Sequence, residues 1–287
     1  MKTLDLPIIG YGYGNASRNK GASQGPSFIR KFLQDKIKIY WFNILSIESE
    51  LIKETAMDDV AQICTDLANT VNSCLKTHNK FIVIGGDHSS AIGTWNGAAK
   101  WLQNKNLGLL WIDAHLDSHT LSSSISKNIH GMPVAALLGF GDEKISKLIT
   151  NKPVLLPENL KMVGMSDFEQ AEIDLLQKLQ VDVTQLSQIK ETNAYELLLK
   201  HAHLLNKSCD SFGVSLDIDV FSPEVAPGVT TFAPNGLDVE STIQALKEIV
   251  KLPNFIGLEI AEFTPCNDIN NKTASIIEKI LTNVFIN

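Results

Sequence analysis

Cysteine is scarce in this chain, with four in 287 residues, at Cys64, Cys74, Cys209 and Cys266. None forms a C-x-x-C pair, which excludes the usual zinc and disulfide frameworks. Free thiols of this kind fit a cytoplasmic protein. Basic charge is also short: 25 Lys+Arg stand against 32 Asp+Glu, a formal net charge of −7. A surface without a basic surplus excludes non-specific nucleic-acid binding and leaves a cationic small molecule as a partner. No uninterrupted apolar run reaches about 18 residues, so no membrane partner is expected. Lys2 and Asp5 precede no long apolar stretch with a small-residue cleavage site, so no signal peptide is read. Repeats and low-complexity linkers are absent too, and one domain spanning residues 1–287 is the economical organisation.

Two common catalytic or nucleotide-binding signatures are also missing. There is no G-x-S-x-G nucleophile turn. The glycine-rich stretch Gly10-Tyr11-Gly12-Tyr13-Gly14 fails the G-x-G-x-x-G pattern, because Ser17 stands at the last position. It is read as a loop shaping the entrance of a site.

What is present is 44% apolar residues, enough to exclude disorder. Short apolar runs fall at Pro7–Ile9, Phe81–Ile84, Leu107–Ile112, Leu160–Val163, Phe212–Ile218 and Phe255–Ile260. Several are apolar on successive residues, the pattern of parallel strands covered on both faces. Amphipathic stretches lie between them: Asp58–His78, Ser89–Gln103, Gln170–Leu179, Ala194–Leu205, Val239–Val250 and Thr273–Val284. Val60, Ile63, Leu67, Val71 and Leu75 share one face of the first. Trp95 and Trp101 sit among apolar residues of the second and are read as core or interface packing. His201 and His203, two apart on a helix, face different ways and are read as solvated. Alternating strands and helices predict an α/β fold with a mostly parallel, doubly wound sheet.

Four strands run into acidic or histidine residues. Phe81–Ile84 leads into Gly85-Gly86-Asp87-His88-Ser89, and Leu107–Ile112 into Asp113-Ala114-His115-Leu116-Asp117. Phe212–Leu216 leads into Asp217-Ile218-Asp219, and Phe255–Leu258 into Glu259-Ile260-Ala261-Glu262. Ligands of open α/β sheets bind beyond the carboxyl ends of strands, so these groups should converge on one crevice. If the strands continue, residues 113, 115 and 117 share a side, as do 217 and 219. Gathering four buried carboxylates demands cations. The four aspartates match two divalent ions, and oxygen-rich sites with some imidazole suit Mn²⁺ and related ions. Two such ions close together would lower the pKa of a bridging water, so the pattern points to metal-assisted hydrolysis.

GGDHS, DAHLD, HGMP, SLDIDVFSPEVAPG and EIAEFTP together resemble the ureohydrolase (arginase/agmatinase) family, over nearly the whole chain. The resemblance implies a three-layer α/β/α domain of the arginase/deacetylase type. It also implies two Mn²⁺ per subunit, with Co²⁺ and Fe²⁺ as alternatives, holding a bridging hydroxide that attacks a guanidinium carbon and releases urea. One ion would take His88, Asp113, Asp117 and Asp217; the other would take Asp113, His115, Asp217 and Asp219. Asp117 would also orient the hydroxide, His130 resembles a proton-shuttling histidine, and Glu262 resembles the carboxylate that pairs with the guanidinium.

Within the family, Ser126-Lys127-Asn128-Ile129-His130-Gly131 resembles arginases, where the serine and asparagine bind the α-carboxylate of L-arginine. Glu169 and Glu172 resemble acidic residues near the α-amino group. His119 stands where an asparagine is common, Ser222 replaces an aspartate, and Gly228-Val229-Thr230-Thr231-Phe232 departs from Gly-Thr-Gly-Thr-Pro, with Thr231 on the substrate-facing threonine. The implied activity is conversion of L-arginine to L-ornithine and urea. The alternatives are an agmatinase, a guanidino-acid hydrolase, a formimidoylglutamase or a non-catalytic metal-binding member. Homo-oligomers, trimers or hexamers, are implied as well.

Overall fold

The computed structural model describes residues 2–17, 19–47, 56–103, 105–189 and 193–286. Eight strands form one sheet: β1 Lys2–Gly12, β2 Ile37–Ser46, β3 Phe81–Ile84, β4 Leu107–Ile112, β5 Leu160–Met165, β6 Asp182–Gln185, β7 Ser211–Asp217 and β8 Phe255–Ala261. Their spatial order is β2-β1-β3-β8-β7-β4-β5-β6, and every pairing is parallel. The helices are α1 Gly25–Leu33, α2 Ala56–His78, α3 Ser90–Leu102, α4 Pro133–Leu137, α5 Glu143–Ser146, α6 Gln170–Lys178, α7 Leu186–Ile189, α8 Ala194–Ser208, α9 Val239–Ile249 and α10 Lys272–Phe285.

The apolar runs are explained by two helix layers. Along β3, Ile82 and Ile84 join the core built with α1, α8, α9 and α10, while Phe81 and Val83 join the core built with α2 and α3. In β4, Leu110 and Ile112 face the first layer, and Leu109 and Trp111 the second. Central strands covered on both faces read as apolar on successive residues for this reason.

Six elements escaped the sequence reading, among them the short helices α4, α5 and α7. β2 mixes apolar and polar residues at one edge, β6 is four half-buried residues at the other, and α1 opens on Gly25-Pro26. Edge strands and a short helix carry weak periodic signals. The glycine-rich stretch also differs from its expected role. Gly10 and Gly12 belong to β1, and the turn after Gly14 is not among the residues lining the cleft; there Ala16 and Ser17 donate their backbone N–H groups to Asp87.

The chain places its last two strands, β8 and β7, between β3 and β4. The order of winding reverses there, so the crevice beyond the strand ends lies over the four central strands. The close packing of this centre rests on two glycines. A Cβ on Gly213 in β7 would stand 2.1 Å from the Trp95 ring, and one on Gly257 in β8 would stand 2.5 Å from Phe81.

His201 corrects the solvated reading. It is 4% exposed on the sheet side of α8, near Asp182, and neither ring nitrogen has a hydrogen-bond partner. Burial holds its pKa below the usual 6.5, against the opposing pull of Asp182 and with help from Lys161 and Lys200.

Two outcomes follow from this packing. Gly213→Ala should lower unfolding stability by about 1–3 kcal/mol in urea titrations, the usual range for an overpacked core; unchanged stability would mean that Trp95 yields freely. His201 is neutral when folded and binds a proton when unfolded, so stability should fall as pH drops below about 6.5. His201→Leu should flatten that acid-side slope in thermal melts at stepped pH, and an unaltered slope would refute the assignment.

Candidate metal centre and active-site cleft

All six ligand candidates come to the carboxyl ends of β3, β4 and β7. His88 follows β3, Asp113, His115 and Asp117 follow β4, and Asp217 ends β7 with Asp219 just after it. The local geometry is not the continued strand that alternation assumed. β4 stops at Ile112, and Asp117 takes a left-handed φ of 46°. After β7 the chain tightens into a 3-10 turn, Ile218–Val220, capped by Asp217 Oδ1, which accepts the Asp219 N–H at 2.8 Å. Turns, rather than a two-residue repeat, bring these side chains to the cleft.

His88 is fully buried, and its ring stacks on Trp111 with centroids 4.2 Å apart. Its Nε2 lies 2.9 Å from Ser215 Oγ, whose own hydrogen goes to Glu259 Oε2 at 2.8 Å. Ser215 must therefore accept from Nε2–H, which in the neutral ring leaves Nδ1 as a bare lone pair. That Nδ1 faces Asp113 Oδ2 at 3.2 Å, Asp117 Oδ2 at 3.2 Å and Asp217 Oδ2 at 3.0 Å. A lone pair aimed at three carboxylates is repulsive unless a positive charge sits among them. Burial opposes charge on His88, yet the three aspartates outweigh it and raise its pKa well above 6.5. The site thus calls for a cation at this point.

A second group adjoins the first. His115 Nδ1 lies 3.1 Å from Asp219 Oδ2 and 3.6 Å from Asp113 Oδ1. His88, Asp113 and Asp217 could hold one ion, and Asp113, His115 and Asp219 another, with Asp113 shared. Asp217 falls in the first group only, and Asp117 in neither. Asp113 is fixed for sharing: Oδ2 accepts from Trp111 Nε1 at 2.9 Å and Oδ1 from the His115 N–H at 2.7 Å. Asp219 Oδ1 is buried without a partner. Hard oxygen donors with two imidazoles, and orphaned atoms among them, fit divalent first-row ions.

Glu262, just beyond β8, also has a left-handed φ, 66°. Its Oε1 accepts from the His88 N–H at 2.7 Å and lies 3.1 Å from His130 Nδ1, while Oε2 is buried and unpartnered. Burial works against charge on His130, but Glu262 and then Asp117 outweigh it and raise its pKa to about 9. Burial, then Asp113, pushes Asp117 up to about 7. Burial also pushes Glu262 up, but His130 and the His88 N–H hold its pKa below the usual carboxylate value.

The cleft is about 250 Å³. His115, Asp117, Asp217, Asp219, His130 and Glu262 line its inner part. Ser126, Asn128, His119, Glu169, Glu172 and Thr231 line it as well, so the structure brings every candidate together. His119 Nε2 lies 3.4 Å from Glu172 Oε2 and 3.6 Å from Glu169 Oε2. Glu172 is also structural: its carboxylate accepts the N–H groups of Ser118 and Glu169. Asn128 Oδ1 is buried and unpaired.

The supporting residues were missed. Glu259, expected to reach the crevice, points below it and accepts from Ser90 Oγ, Thr94 Oγ1, Trp95 Nε1 and Ser215 Oγ. A charged residue inside an otherwise apolar strand was the available signal. Trp95, read as packing, is also a donor. Asp87, within the first motif, anchors the turn after β1 and stands outside the ligand set.

The comparisons with known proteins agree with this geometry. The Arginase family profile matches residues 4–286. An arginase from Brevibacillus brevis is 30% identical over 292 residues, covering 98% of this chain and 97% of that one. The solved structure of arginase from Bacillus caldovelox superposes with a TM-score of 0.89 at 28% identity, covering 99% of this chain and 98% of that one. A formimidoylglutamase from Bacillus subtilis shares the fold, with a TM-score of 0.79 at 22% identity, covering 99% of this chain and 86% of that one. With the family matched along almost its entire length, the chain belongs to the arginase family and is a ureohydrolase enzyme.

Proposed function

We propose that this enzyme is an arginase, hydrolysing L-arginine to L-ornithine and urea. The observation that carries the reading is the His88 Nδ1 lone pair facing three buried carboxylates, two of which, Asp117 and Asp217, line the cleft together with Ser126, Asn128, Glu169 and Glu172. Two Mn²⁺ ions held by His88, Asp113, Asp117, Asp217, His115 and Asp219 would neutralise these carboxylates and make bound water acidic near neutral pH. Co²⁺ or Fe²⁺ would serve the same donor set.

The protein groups divide the remaining work. The free Glu262 Oε2 accepts from the guanidinium, while Oε1 is held by His88 and His130. Asp117, whose carboxylate lines the cleft, would take the proton from the attacking water. His130, protonated at neutral pH, holds a proton for the departing amine. The carbon–nitrogen bond to the side chain breaks, that nitrogen gains the proton, and urea carries the oxygen of water. Ser126 and Asn128 would bind the α-carboxylate with His119, and Glu169 and Glu172 the α-ammonium. Thr231 completes the wall.

A second reading, hydrolysis of another guanidino or formimino compound, is favoured by His119 against Glu169 and Glu172. That cluster changes the charge at the outer end of the cleft. The reading also carries a cytoplasmic, homo-oligomeric enzyme, a trimer or hexamer. Urea release by the Mn²⁺-loaded full chain should be at least tenfold faster at limiting L-arginine than at equal agmatine, since losing a buried polar partner costs that much or more. Agmatine turnover equal to or above that of arginine would overturn the arginase assignment.

A further inference from the structure

Thr231 lines the same cleft as Glu262, but no hydrogen bond among the described residues holds its own side chain or backbone. The loop that carries it is anchored upstream. Gly228 N–H donates to Thr273 Oγ1 at 2.8 Å, and the Val229 carbonyl accepts from Asn267 Nδ2 at 2.7 Å. Thr230 comes next. Its hydroxyl accepts from Asn19 Nδ2 at 3.4 Å and shares a 2.9 Å hydrogen bond with Thr264 Oγ1. From 231 to 236 the chain makes no further hydrogen bond among the described residues, until Leu237 N–H reaches the Val220 carbonyl. The Thr230 hydroxyl is therefore the last tether before the residue on the cleft wall.

The tether also has a direction. Asn19 Oδ1 accepts the Gly21 N–H at 2.9 Å, which fixes Nδ2 as the donor toward Thr230. Thr264 Oγ1 can donate to the Glu262 carbonyl at 3.5 Å, leaving its lone pairs for Thr230. Asn19, Thr230 and Thr264 thus donate one to the next, ending on the Glu262 carbonyl as acceptor. Thr264 is wholly buried, and its N–H donates to the Gly228 carbonyl at 2.7 Å. The loop bearing Thr231 and the strained turn bearing Glu262 are stitched by main chain and side chain together.

We propose that Thr230 is a positioning residue for substrate recognition, holding Thr231 at a fixed distance from Glu262 through Asn19 and Thr264. The inference rests on the cleft being the substrate site of the proposed reaction. Because the tether shapes a wall rather than the reacting groups, its loss should weaken ground-state and transition-state binding alike.

The test compares Thr230→Val, which keeps the shape and removes the hydroxyl, with Thr230→Ser, which keeps the hydroxyl. For the Mn²⁺-loaded full chain, Thr230→Val should raise KM for L-arginine about fivefold, the scale of one lost hydrogen bond, with kcat within about twofold. Thr230→Ser should restore the wild-type KM. Amide hydrogen exchange at residues 229–236 should quicken in Thr230→Val and not in Thr230→Ser. An unchanged KM in a folded Thr230→Val protein, or equal damage by Ser and Val, overturns the proposal. If the wild type does not turn over arginine, the functional reading fails. Exchange then still decides the tether: no difference between Val and Ser removes it.

Discussion

The concentration of negative charge at the ends of the central strands governs this structure. Asp113, Asp117, Asp217, Asp219 and Glu262 are all nearly inaccessible to water. Carboxylates in such surroundings are held ionised only by opposite charge or by abundant donors. Three imidazoles and a few backbone N–H groups fall short of that need. Every unusual feature of the cleft answers the same demand: the bare nitrogen of His88, the orphaned oxygens of Asp219 and Glu262, and the raised pKa values of Asp117 and His130. A proton can occupy one such point at a time. Divalent cations answer the whole cluster.

Holding that charge fixed requires a rigid base, and the all-parallel sheet supplies it. Because β8 and β7 are inserted between β3 and β4, four strand ends meet at one crevice. Beneath them lies the Glu259 carboxylate, satisfied by four donors from α3 and β7. Through Ser215 that buried charge sets the tautomer of His88. Trp95 reaches Glu259 because Gly213 leaves room for its ring. Core packing and site chemistry are therefore continuous: a methyl group added on β7 would be felt at His88 through Trp95, Glu259 and Ser215. The turns at Asp117 and Glu262 are both in left-handed backbone, which aims carboxylates that straight strands would misdirect.

The six candidate ligands and their convergence were legible in the sequence because each motif directly follows an apolar run. β3 and β4 match the expected runs residue for residue, since buried central strands have an unambiguous pattern. What the sequence concealed has a physical reason in each case. β2 and β6 lie at the sheet edges, where half the surface is solvated and the pattern dissolves. Alternation failed for Asp113, His115 and Asp117, because turns replace strand beyond Ile112. Glu259 and Ser215 face inward from strands whose other residues are mostly apolar, and only the fold shows which partners they meet. The burial of His201 was hidden for the opposite reason: helix spacing says which residues diverge, not which one meets the sheet.

If the carboxylate cluster is a site for two divalent cations that share Asp113, metal content is its most direct test. The measurement is elemental analysis of the folded chain after equilibrium dialysis against Mn²⁺. Two ions per chain are predicted. A value of one or none, in protein that melts cooperatively, would contradict the two-cation site.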